Sequence, residues 1–193
     1  MTTSDAADLA QRLVSDGYGA TFVWPAHDTT LARIWEDAGN PARLEQLVDD
    51  TAAPAKARLV AVECLFKHDF TFLGRHDGVV IAGIYAAALA GHTVPAANPW
   101  GLLWENQQAG LLGGRFIMLG TSSIPALRPL LGDATVVDWY EGSEEATIGN
   151  AARYRIKDFA AFYLARLVNH PLPFHPEFAD RDREITGLVA ALR

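Results

Sequence analysis

Five side chains have the chemistry to move protons in a pocket between helices: Glu105, Glu141, Glu144, His76 and Tyr140. Carboxylate, imidazole and phenol are the usual acid–base groups, and enclosing a carboxylate raises its pKa toward neutrality. Trp100 and Trp104 would supply apolar walls for a small apolar substrate. Such a site would need no cofactor, and the reaction class (hydrolysis, isomerisation or cyclisation) stays open. The same residues also read as a binding surface. Trp139, Tyr140, Glu141, Glu144 and Glu145 fall in one stretch, ATVVDWYEGSEEATIG, together with Asp138. Trp and Tyr bring large apolar area with a polar handle. Interleaved with acids, they suit a basic or polar partner. In the competing structural reading, Trp139 plugs the end of a helical stack and the acids are solvated.

Other constellations are weaker. Trp100 and Trp104 are four apart, so on one helix they share a face. Glu105 and Asn106 would then lie beside that face, within reach of a ligand. Core packing is the alternative use of two such rings. His68-Asp69 and His76-Asp77 flank a short segment, and their donors are of metal-ligating type. Their spacing is not that of a compact metal motif, and a turn with two polar histidines accounts for them. No metal ligand set is therefore expected. His27-Asp28 stands at a helix start, where Asp28 serves as a cap. There is no GxSxG, no Walker A loop and no dinucleotide fingerprint. Cys64 lies within an apolar run and reads as core, since a reactive thiol needs exposure and nearby cations.

Helical periodicity supplies the elements that position these groups. Apolar residues recur at helical spacing in Asp5–Val14, Asp28–Ala38, Ala42–Asp49, Pro54–Lys67 and Gly78–Ala90. Asn98-Pro99 is a start signal for a helix over Trp100–Leu119, thinned at Gly110, Gly113 and Gly114. Further helices are expected over Ile124–Leu131, Ala151–Val168 and Glu177–Leu192. Ala20–Trp24 and Thr135-Val136-Val137 are the only weak strand candidates. The expected fold is all-α, with about nine or ten helices.

Composition bounds the function. The chain has 193 residues, half of them hydrophobic, a net charge of −7 and one cysteine. One domain of this size can build a core without disulfides. The negative charge argues against an electrostatic grip on nucleic acid. Arg153, Arg155, Lys157 and Arg166 form a local basic stripe, explained by pairing with Asp133 and Asp158. The acidic N-terminus lacks the features of a secretory signal. The longest apolar run, Gly78 to Gly91, is shorter than the roughly 20 residues of a membrane span. A cytoplasmic protein with no membrane or nucleic-acid partner is the expectation.

A longer period is also visible. Leu44–Asp50 (LEQLVDD) and Leu127–Asp133 (LRPLLGD) share Leu-x-x-Leu-hydrophobic-x-Asp. Arg58–Leu65 (RLVAVECL) and Lys157–Leu164 (KDFAAFYL) share cation-x-x-Ala-x-x-x-Leu. Each pair implies two antiparallel helices, the leucines of the first packing on the small-residue face of the second. Asp50 or Asp133 would reach a cation of its own or the next pair. Leu47 and Arg58 are 11 positions apart, Leu130 and Lys157 27 apart, so the second pair carries an insertion at 134–150.

This pattern resembles HEAT-type helical repeats and, more loosely, armadillo-like solenoids. The resemblance is carried by Ile124–Leu167 and Ala42–Lys67. It implies a short α-solenoid over residues 1–193, with a recognition loop at 134–150 and a capping helix at 177–192. It also implies a binding module or adaptor with a concave face for a protein or peptide, such as an immunity-type protein. A small-molecule ligand belongs to the enzyme alternative.

Overall fold

A computed structural model describes residues 3–23, 26–105, 109–137 and 139–193. Among these residues the protein is all-α, with ten longer helices and one single turn. They are α1 (Thr3–Ser15), α2 (Tyr18–Phe22), α3 (Ala26–Glu36), α4 (Asn40–Asp49), α5 (Ala55–His68), α6 (Gly78–Ala90), α7 (Gly113–Leu119), the single turn α8 (Ile124–Leu127), α9 (Ser143–Ala152), α10 (Ile156–Leu167) and α11 (Phe178–Ala191). Short 3-10 turns occupy Phe70–Gly74, Asn98–Trp100, Gly120–Ser123 and Arg128–Gly132. Among the described residues the only isolated strand-like pairing is one antiparallel bridge between Val136 and Arg155. No helix among them is long and apolar enough to cross a membrane. The chain divides into two compact units, Met1–Ala88 and Leu89–Arg193.

In the first unit α5 is the central element. Leu59, Val60, Ala61, Val62, Cys64 and Leu65 are all buried, so the helix is apolar nearly all round, as a helix packed on several sides must be. α4 packs on α5 through Leu44, Leu47 and Val48, and α1 and α3 also pack on α5. Gly39 at φ +80° starts α4, with Pro41 in its first turn.

In the second unit α10 plays the same part. Phe159 to Ala165 is buried without a break. α7, α8, the turn Arg128–Gly132 and α11 pack on it. Leu127 is fully buried and Leu130 partly. The elements that carry these leucines thus pack on α5 in the first unit and on α10 in the second.

Several local expectations are corrected. Trp100–Leu119 is not one helix: Gly101 at φ +103° and Leu103 at φ +49° break it after the first 3-10 turn. The segment 134–150 is not wholly irregular, because α9 begins at Ser143. Arg153 at φ +50° separates α9 from α10, so the helix expected from Ala151 starts at Ile156. Ala20–Phe22 lies in helix α2 rather than a strand, and Trp24 is outside the described residues. The basic side chain paired with Asp133 is not found either. Asp133 turns back on its own Thr135 N–H at 2.9 Å, while Lys157 Nζ reaches Asp182 at 2.8 Å.

Candidate functional site

The second unit places the acidic-aromatic segment against the turn that follows Asn98. Asn98 holds the segment from both sides of its amide. Its Oδ1 accepts the Glu141 N–H at 2.8 Å, and its Nδ2 donates to the Glu141 carbonyl at 2.9 Å and to the Glu145 carboxylate. The Ala97 N–H donates to the Trp139 carbonyl at 3.0 Å. The Tyr140 N–H donates to Asn150 Oδ1 at 2.9 Å. Backbone and side-chain bonds thus fasten this stretch at several successive residues.

Tyr140 is the anchor. Its ring is buried and its hydroxyl donates to the Gly101 carbonyl at 2.8 Å. Burial pushes its pKa far above the ordinary phenol range. Gly149 of α9 lies against the Tyr140 ring so closely that a Cβ there would overlap it. Tyr140 thus pins the segment to the Gly101 carbonyl and to α9. Trp139 next to it is 49 % exposed. Glu144 is exposed, while Glu141 and Glu145 are partly buried. Glu144 and Glu145 occupy the first turn of α9, where the helix dipole favours negative charge. Asp138 lies outside the described residues.

Trp100 and Trp104 part company because no single helix carries them. Trp100 is core: it stacks on Phe116 with centroids 6.3 Å apart, and its carbonyl accepts the Tyr163 hydroxyl. Trp104 is half-buried. Its indole N–H donates to the Leu172 carbonyl at 2.7 Å, and its ring lies 5.7 Å from Tyr154 and 5.3 Å from Phe174. These rings, with Glu105, Ile148 and Pro176, line a cavity of about 410 Å³. Burial, against the opposing Arg181 cation and with smaller help from Glu105, pushes the Tyr154 pKa up to about 12. Asn106 lies outside the described residues.

The proposed proton-moving residues are not gathered around this cavity. Glu105 lines it, whereas Tyr140, Glu141 and Glu144 do not. His76 belongs to the first unit, with Nδ1 3.2 Å from an Asp49 carboxylate oxygen and Nε2 3.7 Å from Glu45. Arg75 there pairs with Glu45 and with Asp69 at 2.6 Å. His68 instead stacks on Trp35, with centroids 5.2 Å apart. Among the described residues, no group of three or more His, Cys, Asp or Glu side chains is placed to hold a metal.

Two buried polar clusters escaped sequence reasoning. In the first unit Glu63 is fully buried in α5 and accepts the Tyr85 hydroxyl at 2.5 Å, with His27 Nε2 3.6 Å away. In the second, Asp158 receives Arg155 through Nε at 3.0 Å and Nη2 at 2.8 Å, and Arg181 through Nη1 at 2.8 Å. Asp158 is a partner that the sequence offers the basic stripe as a whole. Arg181, on a different helix, could not be placed without the fold. A carboxylate inside the apolar run of α5 was the one available sign of the Glu63 cluster. Comparison with protein-family models, with curated proteins and with solved structures yields no match in any of the three.

Proposed function

We propose that this protein is a binding module that recognises a basic segment of a protein partner through the acidic-aromatic face of its second unit. The observation that carries the reading is the exposure of Trp139 on a fastened backbone. An indole held in water by a mobile loop costs little and means little. Here the Trp139 carbonyl and the N–H groups of Val137 and Tyr140 are bonded to the protein, and Trp139 is still exposed. Aromatic rings that can be buried by a partner are typical of binding hot spots. Glu141 and Glu144 follow it within five residues, which suits a cationic partner and speeds encounter. In this reading α4–α5 and α8–α10 are HEAT-like repeat pairs. An immunity-type protein that neutralises a basic toxin is one concrete form of the proposal.

The test is a titration of the full chain with a decapeptide of alternating Ser and Lys, followed by tryptophan fluorescence. A matched peptide with every lysine acetylated is the control, since acetylation removes the charge and keeps the stem. The lysine peptide should bind saturably and weaken with salt. Trp139→Ala should weaken it by about tenfold or more, the loss of about 1.4 kcal/mol or more typical of a hot spot. Equal binding of the acetylated peptide, or no effect of Trp139→Ala, would reject the reading.

A further inference from the structure

The cavity bounded by Trp104, Tyr154 and Phe174 has a chemistry that selects among ligands. Its two polar rings have already committed their donors. The Trp104 N–H is bonded to the Leu172 carbonyl at 2.7 Å, and the Tyr154 hydroxyl to the Leu102 carbonyl at 3.3 Å. The cavity is left with aromatic and aliphatic surface and the Glu105 carboxylate. Neither ring can donate to an anion, and Glu105 repels one. An extended apolar stem ending in a cation meets both features: rings contact the stem and attract the charge, and the carboxylate pairs with it.

Arg181 is the group that argues against this, and it is neutralised locally. Its guanidinium is 5.4 Å from the Phe174 centroid and 5.9 Å from the Tyr154 centroid, where it would repel a second cation. It is however tied to Asp158 at 2.8 Å and to the carbonyls of Ala152 and Pro176 at 2.7 and 2.9 Å. It does not line this cavity. The volume of about 410 Å³ falls within the roughly 300–1,000 Å³ of ligand cavities. α9 connects the two features: Ile148 forms part of the wall, and Glu144 and Glu145 sit at the start of the same helix.

We propose that this cavity receives a lysine side chain of the basic partner, its stem along the Trp104, Tyr154 and Phe174 rings and its ammonium against Glu105. The inference rests on the partner reading above and gives it a specificity pocket.

The experiment uses the full chain labelled at its five tryptophans, with indole N–H signals assigned through Trp104→Phe and Trp139→Phe. The probes are N-acetyl-Ser-Lys-Ser amide and its Nε-acetyl-lysine counterpart. The lysine probe should shift the Trp104 signal saturably. The acetylated probe should bind at least about tenfold more weakly, the fold-change that loss of an ion pair and a cation–π contact supports. Glu105→Gln should cause a similar loss. Glu105 is exposed, so that variant should keep the wild-type circular dichroism and unfolding midpoint. Equal binding of the two probes would mean an apolar cavity only and overturn the proposal. Unchanged affinity in Glu105→Gln would overturn it as well. If the Ser-Lys decapeptide moves the Trp139 signal and leaves Trp104 unmoved, the cavity proposal falls and the partner reading stands. If the decapeptide moves neither signal, both fall.

Discussion

The hydroxyl of Tyr140 donates to the carbonyl of Gly101 across 39 positions of sequence, at 2.8 Å and out of water. Through this bond a residue that looks like part of an exposed loop becomes the fixed point from which the loop is hung. Trp139 projects because Tyr140 does not.

Removing that bond should loosen the loop. Tyr140→Phe keeps the ring but leaves the Gly101 carbonyl without this donor, at a cost of about 1–3 kcal/mol. Urea unfolding measures the loss. Limited proteolysis should show cleavage between 134 and 145 that the wild type resists. An unchanged midpoint and an unchanged digestion pattern would remove Tyr140 from its role as anchor.

Gly149→Ala attacks the same contact from the other side. The added Cβ overlaps the Tyr140 ring, so α9 or the ring must move, although alanine is the better helix former. Overpacking of this kind costs about 1–3 kcal/mol. The expected result is destabilisation. A gain of stability would show that the ring yields without strain.

Asp158 should be among the least replaceable residues of the second unit. It is fully buried and balances the guanidinium groups of Arg155 and Arg181. Asp158→Ala leaves buried Arg181 without a carboxylate and buried Arg155 with Asp182 alone, and should cost about 3–5 kcal/mol. Adding Arg181→Met should recover part of that, giving strong coupling in a double-mutant cycle by chemical denaturation. Additive effects would contradict the paired arrangement.

The thiol of Cys64 should be silent in the native protein. Burial, reinforced by Glu63, pushes its pKa well above the ordinary thiol value, and the side chain has no exposed surface. Reaction with a thiol reagent should therefore require unfolding and proceed freely in denaturant. Rapid native-state labelling would contradict the packing around α5.

Stability should carry a pH dependence from His68. Burial against Trp35, with a smaller repulsion from Lys67, lowers its pKa below the ordinary 6.5. The unfolded chain then binds the proton more readily than the folded one. Its effect is absent above the unfolded pKa, and stability declines as pH falls through 6.5 toward the lower folded value. His68→Phe should flatten that part of the stability–pH curve. An unaltered slope would assign the dependence to other groups.

Local physics made much of this legible. Pro54 marks a helix start, and Leu44, Leu47 and Leu127 mark the faces that pack. Cys64 reads correctly as core because, Glu63 apart, the residues around it in sequence are apolar. The Trp100–Trp104 pair misleads because a helical spacing assumes an unbroken helix, and the positive φ at Gly101 and Leu103 is set by packing rather than by residue type alone. One ring enters the core and the other lines a cavity.

Residue order alone determined an all-helical chain, because helical periodicity and turn-forming Pro and Gly act over a few residues. It also concentrated acids and aromatic rings in one stretch. Tertiary structure decided which of them face solvent. Tyr140 found a carbonyl acceptor, Glu145 an amide and Trp104 a ring of aromatic neighbours, all more than 35 positions away. Such contacts form only when separate helices pack, so no local pattern encodes them.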